Sequence, residues 1–410
     1  MKKLKIGLLS YRSDPFSGGQ GIYIKNVSEA LQNRGHEVTI FSGNPLPIVS
    51  NKIKVVEINT PGYFETFNSF ERFKIFQAQE KTRLDLWDFI ETFTGTFTEP
   101  IFFGDRLLQN TEFAKTVDSY DVFHDNQSIS NYPDSINKKL ITTLHHPIHV
   151  DRDIDLENES SFLRKLAIKR WYSFLNFQKK NLNKVKKIIS PSKSSKKDIC
   201  HYFQYPAEQI SVIWNGIDLA DCKFHQRTSF NSEFVTIISS DVPMKNLKNI
   251  LKALYLLKND GLSAKLTIIG DLREDNKKLI NDLDLNDLVS FRRKLPRNEL
   301  IKILNASDIG IAASSYEGFG FPLVEMIATG LPVIVSDKAS LPELAGDAGL
   351  KFNSDDVSDL KDKMKELVKN HALRDKLANN SKVRRDAFFG WDEYAKKLED
   401  LFEEIISGNI

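Results

Sequence analysis

The chain has 410 residues, more than one hydrophobic core usually accommodates, so we expect two domains. Its composition, 41% hydrophobic and 27% charged, is that of a soluble globular protein and argues against a disordered or membrane-spanning chain. The net charge of +2 gives no indication of a nucleic-acid partner, and two cysteines without metal-type spacing favour a reducing, cytoplasmic location.

In the first half of the chain, short β-rich runs alternate with helical patterns. Strands are predicted at 5–10, 37–43, 121–126, 138–146 and 186–190, and a helix at about 21–34 follows the first of them. No run of about 20 apolar residues interrupts this alternation. The sequence therefore predicts no membrane-spanning helix.

A basic segment closes this half. Between Ser160 and Lys197 there is no acidic residue, while lysines and arginines alternate with Phe162, Trp171, Phe174 and other apolar side chains. A basic amphipathic helix with aromatic side chains can lie on an anionic membrane surface. The same pattern is typical of a helix whose aromatic side chains face the core. Both interpretations stay open from the sequence.

A second series of strands begins after residue 230. Strands are predicted at 233–240, 264–270, 288–291, 308–314 and 332–336, with a helix at 246–259 and an amphipathic helix at 391–406. Strand, helix and strand at this spacing predict parallel sheets. The restart predicts an α/β protein with two doubly wound domains and a seam near 215–218.

The stretch YEGFGFPLVE, residues 316–325, carries the clearest indication of a ligand site. Pro322 suits the first turn of a helix, whose free N–H groups attract anions at the carboxyl edge of a parallel sheet, and Gly318 and Gly320 let a phosphate approach the backbone. Glu325, one turn into the helix, is placed to bind ribose hydroxyls, and Glu317 to bind a sugar. Taken alone, Glu317 is better interpreted as an ordinary turn residue and Glu325 as a helix-surface residue. The whole arrangement predicts a nucleotide-sugar site.

Two other features follow predicted strands. SGGQGIY, residues 17–23, contains Gly18 and Gly19 and reads alone as either a flexible turn or a ligand loop. Its position after the first strand favours the ligand loop. Lys245 is either a cation that balances a diphosphate or a solvated lysine at the start of a helix.

His145 lies just past the strand at 138–146 and is a natural contact for an acceptor or a transferred sugar. His146 and His149 are close in sequence, so a metal cluster is conceivable. However, neither an H-x3-H spacing nor a cysteine partner is present. The sequence therefore predicts no metal.

Together these motifs resemble retaining glycosyltransferase family 4, which has the GT-B fold. The block from Glu317 to Val333 is similar to the family's E-x7-E motif. The resemblance covers essentially the whole chain in the right order. It includes similarity of SGGQGIY to the N-terminal glycine loop, TLHHP (143–147) to the acceptor-side histidine motif, IISPSKSSKKDI (188–199) to the serine-containing strand, and ISVIWNGID (210–218) to the interdomain segment.

The resemblance implies two Rossmann-like domains that face a central cleft. Residues 1–217 would form the acceptor-side domain, with 390–410 returning to it as a C-terminal helix, and residues 218–389 the nucleotide-sugar-binding domain. His145 and Glu317 are the implied catalytic residues. The implied donor-binding residues are Gly18, Gly19, Lys245, Glu317, Gly318, Phe319, Gly320, Phe321, Leu323 and Glu325.

The implied activity is transfer of a hexose, with retention, from a UDP- or GDP-linked sugar to a hydroxyl acceptor, without metal or cofactor. We expect a lipid-linked or cell-surface glycan as acceptor, and a cytoplasmic protein that contacts anionic membrane through residues 160–197. A phosphorylase or nucleotide-sugar epimerase would keep the fold, but the E-x7-E block argues against both.

One departure from the family pattern concerns the diphosphate. The family commonly has an arginine about five residues before the lysine, where this chain has Ser240 followed by Asp241. Arg292 or Arg293 is a candidate replacement. The departure motivates an alternative hypothesis, a catalytically degenerate GT-B scaffold that acts as a partner or regulatory subunit.

Overall fold

The structure is a computed structural model that describes residues 2–15, 18–66, 68–79, 81–238 and 240–408. Residues 16 and 17 of the predicted glycine loop and residue 239 of the strand predicted at 233–240 lie outside the described residues. The chain divides into two compact units. The first comprises Met1–Pro191, Lys196–Ile213 and Trp391–Ile410, and the second comprises Ser192–Ser195 and Trp214–Gly390.

The first unit contains a seven-stranded parallel sheet in the order β3-β2-β1-β4-β5-β6-β7. Its strands are β1 (Lys5–Ser10), β2 (Glu37–Ser42), β3 (Lys54–Glu57), β4 (Val122–Asn126), β5 (Leu140–Thr143), β6 (Lys187–Ser190) and β7 (Ile210–Val212). The central strands are buried almost throughout because helices cover both faces, as parallel sheets require.

Among the described residues that precede residue 214, ten α-helices begin. They are α1 (Gly18–Asn33), α2 (Ser69–Ala78), α3 (Arg83–Phe93), α4 (Glu99–Gln109), α5 (Thr111–Thr116), α6 (Asp134–Asn137), α7 (His149–Asn158), α8 (Phe162–Trp171), α9 (Phe174–Leu182) and α10 (Lys193–Phe203).

The second unit contains a six-stranded parallel sheet in the order β10-β9-β8-β11-β12-β13. Its strands are β8 (Glu233–Ile237), β9 (Lys265–Ile269), β10 (Val289–Arg292), β11 (Ile309–Ala312), β12 (Val333–Ser336) and β13 (Gly349–Phe352). Its helices are α11 (Leu247–Asn259), α12 (Glu274–Asp282), α13 (Arg297–Ala306), α14 (Phe321–Ala328), α15 (Leu341–Ala345), α16 (Val357–Lys369) and α17 (His371–Arg385).

The prediction of an α/β protein with two doubly wound parallel sheets is confirmed. In each sheet the strand order reverses beside the first strand of its unit, β1 or β8. This reversal leaves a crevice at the carboxyl ends of the central strands, where ligands of such folds bind. The predicted ligand residues of both units follow strands at these edges.

The last helix, α18 (Trp391–Ile406), belongs to the first unit although it follows the second in sequence. It packs on α1, and its buried Glu399 accepts hydrogen bonds from Arg34 at 2.6 and 2.8 Å. His36 Nε2 lies 2.7 Å from the same carboxylate. The first unit is therefore completed by residues from both ends of the chain.

Two predicted elements differ in the structure. The helix expected at about 21–34 begins at Gly18, so Gly18, Gly19 and Gly21 form its first turn and not a preceding loop. A Cβ on Gly21 would lie 1.8 Å from the Asp14 carbonyl oxygen, so the chain crosses this turn at a distance that only glycine permits.

The basic segment 160–197 is also more divided than a single amphipathic helix. It contains α8, α9, β6 and the start of α10. Phe174 and Leu175 of α9 are buried, whereas Phe162 and Leu163 of α8 are exposed. The core-facing interpretation therefore holds for α9, and contact of α8 with a membrane stays a prediction. Within the described residues, none of the helices is long and apolar enough to cross a membrane.

Candidate active site

The turn between β11 and α14 forms the centre of the candidate site in the second unit. Gly320 adopts a φ of 106°, in the left-handed region that favours glycine, and α14 begins at the next residue. Pro322 occupies the first turn, as predicted. The first backbone N–H groups of this eight-residue helix have no acceptor within the helix, so they are available to a ligand. The turn thus has the geometry of an anion-binding helix terminus at the carboxyl edge of the sheet.

Two serines hold the turn in shape. Ser340 Oγ donates to the carbonyl oxygens of Glu317 and Phe319, at 2.9 and 2.6 Å. Ser336 Oγ donates to the carbonyl oxygen of Ser314 at 2.6 Å. Both serines are fully buried. Ser336 ends β12 and Ser340 follows it, some twenty residues from the groups they bind, which is why motif reading missed them.

Side chains from two strands meet beside this turn. Lys245, in a 3-10 turn after β8, donates from Nζ to Glu317 Oε1 at 2.6 Å. Ser314 Oγ donates to the same oxygen at 2.8 Å. The lysine and glutamate side chains are only 12% and 18% exposed, so little solvent screens their attraction. The structure thus brings together the predicted cation and the predicted sugar-binding carboxylate.

Glu325 lies one turn into α14 and is paired with a residue that sequence reasoning missed. Arg297 at the start of α13 donates from Nη1 to Glu325 Oε1, and its Nη2 lies 3.1 Å from the buried Cys222 Sγ. Burial raises the pKa of Glu325, and the charge of Arg297 opposes that rise. Arg297 therefore opposes the protonation that burial of this carboxylate favours.

Four other candidates have only backbone groups to offer a ligand. The side chains of Phe319 and Leu323 are packed in the hydrophobic core of the second unit. Gly318 and Gly320 have no side chains, and Phe321 is partly exposed. A ligand at this turn would therefore meet chiefly main-chain N–H groups.

Ser240, at the position where the family commonly has arginine, is exposed. Asp241 after it is buried and accepts hydrogen bonds from the Arg273 backbone N–H at 2.8 Å and from Asn276 Nδ2 at 2.7 Å. Asp241 thus fixes the start of α12. Arg292, proposed as a replacement cation, is exposed at the end of β10, which β9 separates from β8.

In the first unit, His145 follows β5 and is held by its neighbours on the adjacent strand. Its Nε2 lies 2.8 Å from Asn126 Oδ1, and its backbone N–H donates to Gln127 Oε1 at 2.8 Å. Gln127 Nε2 in turn donates to the His146 carbonyl oxygen at 2.9 Å. Desolvation lowers the pKa of His145 to about 3, so its imidazole is neutral at physiological pH.

Buried aromatic and hydroxyl-bearing side chains pack against His145. The Tyr23 ring packs edge-on against His145 with centroids 4.7 Å apart. The Tyr23 hydroxyl lies 2.8 Å from both Thr143 Oγ1 and Tyr394 Oη, and 3.2 Å from His124 Nε2. These contacts connect His145 to the C-terminal helix α18 and limit its rotation.

The edge of this sheet also carries a buried carboxylate. Arg12, just after β1, lies 3.4 Å from Glu99 at the start of α4. Burial raises the pKa of Glu99 to about 7, although Arg12 opposes the rise.

Among the described residues there is no cluster of three or more His, Cys, Asp or Glu side chains that could hold a metal ion.

Two family models match the chain. The one described as Glycosyltransferase Family 4 covers residues 17–221, and the one described as Glycosyl transferases group 1 covers residues 223–384. The chain is 30% identical to the MMP alpha-(1->4)-mannosyltransferase of Mycolicibacterium hassiacum, over 98% of this chain and 99% of that protein.

Solved structures of low sequence identity share the fold. Sucrose-phosphate synthase from Thermosynechococcus elongatus is 17% identical, with a TM-score of 0.73 over 99% of this chain and 100% of that one. The Anabaena protein HepE in complex with UDP is 14% identical, with a TM-score of 0.64 over 98% of this chain and 100% of that one.

Proposed function

We propose that this chain, which belongs to glycosyltransferase family 4, transfers a hexose from a nucleotide diphosphate sugar to a hydroxyl acceptor with retention of configuration. One observation carries the proposal: a helix N-terminus, an ion-paired lysine and two carboxylates converge at the carboxyl edge of the second sheet. These are the groups that a diphosphate, a ribose and a sugar require.

The diphosphate is assigned to the start of α14 and to Lys245. The main-chain N–H groups of residues 318–323 supply fixed donors, and Lys245 supplies a cation that Glu317 holds in place. No metal ion is part of the proposed site, because the lysine and the helix terminus carry the positive charge.

The ribose is assigned to Glu325. A carboxylate offers about four lone-pair positions, and the Arg297 hydrogen bond uses Oε1. Oε2 is therefore assigned to the ribose hydroxyls. Arg297 positions Glu325 and keeps it charged, so it contributes to nucleotide binding without touching the sugar.

The chemical step is assigned to the substrates themselves. The bond between the anomeric carbon and the diphosphate oxygen breaks while the acceptor oxygen bonds to the same carbon from the same face. The acceptor proton passes to the departing diphosphate oxygen. Lys245 and the helix terminus stabilise the charge that develops on this oxygen, and Glu317 orients the sugar.

His145 is assigned to the transferred sugar, as a neutral hydrogen-bonding group and not as a charged acid. Gly18 and Gly19 are assigned to the diphosphate or sugar through the first turn of α1. Because the full-length relative is a mannosyltransferase, nucleotide-linked mannose, with uridine or guanosine as the base, is the first donor to test.

The acceptor is assigned to a lipid-linked or cell-surface glycan. The protein is proposed to work in the cytoplasm and to contact anionic membrane through residues 160–197, where the exposed side of α8 carries lysines and arginines without an acid.

A donor-hydrolysis screen over UDP- and GDP-linked hexoses tests the proposal. We expect release of nucleotide diphosphate from one donor, reduced sharply in Glu325→Gln and unchanged in Val383→Ser, an exposed apolar residue on α17. The anomeric configuration of the product, measured by NMR, tests retention. Absence of saturable UDP or GDP binding by calorimetry would favour the alternative, a non-catalytic scaffold.

A further inference from the structure

Helix α3 in the first unit buries acidic side chains and exposes most of its apolar ones. Asp85, Asp88 and Thr92 are buried. Arg106 of α4 donates to Asp85 at 2.8 Å and to Asp88 at 2.9 Å, so the buried acids are paired. The fully buried side chains of α3 thus form an ionic network, whereas its apolar Leu84 and Phe89 are only partly buried.

The opposite side of α3 is exposed and apolar. It consists of Leu86, Trp87, Ile90 and Phe93, which we call the outer face of α3. Trp87 and Phe93 are each 61% exposed. Their spacing places the four side chains on one stripe of the helix. A stripe of this size on a folded unit marks an interaction surface, because single exposed apolar residues scatter and do not align.

Helix α8 extends this surface and adds positive charge. Arg170 near the end of α8 lies 2.7 Å from Glu91 of α3 and 2.5 Å from Thr94 Oγ1, which joins the two helices. Along α8, Phe162 is 74% exposed, and exposed apolar residues alternate with Arg164 and Lys169.

Acidic side chains on these helices are engaged by other groups. Glu91 is paired with Arg170, Asp85 and Asp88 with Arg106, and Glu71 of α2 accepts from Thr66 Oγ1. The basic residues of α8 have no acid on their own helix. The side chains that α3 and α8 themselves present outward are therefore aromatic, aliphatic and basic. Acidic side chains lie beside them on α7, which packs against α8, and Glu159 lies 3.8 Å from Arg164.

We propose that the outer face of α3, together with the exposed side of α8, docks this protein on an anionic lipid bilayer. Trp, Phe and Leu side chains enter the boundary between headgroups and acyl chains, and Lys and Arg bind the lipid phosphates. The inference rests on the proposed function, because a lipid-linked acceptor would be presented at such a surface.

Two other occupants fit this surface less well, one because of charge and the other because of the apolar side chains. A two-fold contact of this surface with a second copy would bring two basic helices into one interface, which like charges oppose. A soluble glycan would need exposed hydrogen-bonding groups, whereas Leu86 and Ile90 offer none and the nearby acids are engaged.

Cosedimentation at low salt with vesicles of equal parts phosphatidylglycerol and phosphatidylcholine tests the proposal. We expect the wild type and Val383→Ser to bind, and Trp87→Ser combined with Phe93→Ser to bind at least about tenfold more weakly. Vesicles of phosphatidylcholine alone should bind less of the wild type, because they lack the anionic headgroups. All these substitutions are at exposed positions, and thermal melting checks that the variants fold.

A second measurement reports insertion directly. Brominated phosphatidylcholine chains quench the fluorescence of tryptophans that reach the acyl region. Trp87 and Phe93 are the most exposed aromatic residues on α3. We expect quenching in the wild type and its loss in Trp87→Phe, a variant that keeps an apolar ring and therefore still binds.

Three results would overturn the proposal. They are an absence of vesicle binding, binding unaffected by the Trp87 and Phe93 substitutions, and a concentration-dependent dimer or glycan binding that the same substitutions abolish. Donor hydrolysis measured without vesicles separates this inference from the proposed function. Intact hydrolysis with no vesicle binding overturns docking alone, and vesicle binding without hydrolysis overturns the glycosyl transfer alone.

Discussion

Replacing Lys245 with methionine is expected to expose Glu317 as an uncompensated charge at the diphosphate site. The lysine now lies 2.6 Å from the carboxylate, and both side chains are largely buried. In Lys245→Met the site loses its cation and keeps an anion that faces the phosphates. Nucleoside diphosphate affinity should therefore fall for two reasons, and the two can be separated.

The size of the repulsion follows from the geometry. Two anions that share one ammonium group lie roughly 5 Å apart, and two unit charges at that separation in an effective dielectric of about 20 repel by about 3 kcal/mol. This corresponds to about a hundredfold in affinity. A second substitution, Glu317→Gln, removes the repulsion, so the double variant should bind at least about tenfold more tightly than Lys245→Met.

Isothermal titration calorimetry with UDP and GDP measures these affinities for both single variants and the double variant. Lys248→Met, an exposed lysine three residues later, is the matched control and should bind as the wild type does. Glu317→Gln alone should retain diphosphate binding and lose sugar transfer. Additive losses in the double variant would refute the reasoning, because independent effects leave no charge repulsion to relieve.

Three other perturbations have defined outcomes. Arg297→Met should raise the pKa of Glu325 further, so the nucleotide affinity measured by calorimetry should fall at neutral pH and recover as the pH rises. The nucleotide affinity of the control, Arg297→Lys, should stay independent of pH. A loss of affinity that is equal at every pH would contradict this reasoning. His145→Ala should lower kcat roughly a hundredfold with the donor KM nearly unchanged, and the wild-type pH–rate profile should show no inflection from this residue, whose pKa is about 3. Glu99 has a pKa of about 7 in the folded state, above its ordinary 4.5, so the folded state keeps this proton to a higher pH than the unfolded state does. The free energy of unfolding should therefore fall by about 3 kcal/mol as the pH rises from 4.5 to 7. Urea unfolding of Glu99→Gln should lack this decline.

Much of the fold followed from the alternation of buried strands and amphipathic helices. The strands at 5–10, 37–43 and 332–336 were predicted within a residue or so, because parallel strands read as continuous apolar runs bounded by turn residues. The short strands β3 and β13 were missed, since four residues such as those of β13 carry too little pattern.

Helix α3 was missed for a different physical reason. Four of its hydrophobic residues are exposed, so a rule that assigns apolar side chains to the core gives the wrong orientation for this helix. Only the structure shows that Arg106, on another helix, neutralises the acids that turn inward.

The candidate site was predictable where it depends on one continuous motif. Glu317, Gly320 and Pro322 share a single turn, so spacing alone predicted their arrangement. The contacts of Glu325 with Arg297, 28 residues away, and of Ser340 with the turn depend on tertiary packing. No local pattern reports such pairs, and they were found only in the structure.

Because α18 completes the first unit from the far end of the chain, the two halves of this enzyme are not separable by a single cut. During synthesis the first sheet must wait for the final residues before Tyr394 and Glu399 can reach Tyr23 and Arg34. An engineer who grafts the first unit onto a second unit from another protein must transfer residues 391–408 with it. The same requirement links any recombination that exchanges the first unit to an exchange at the C-terminus.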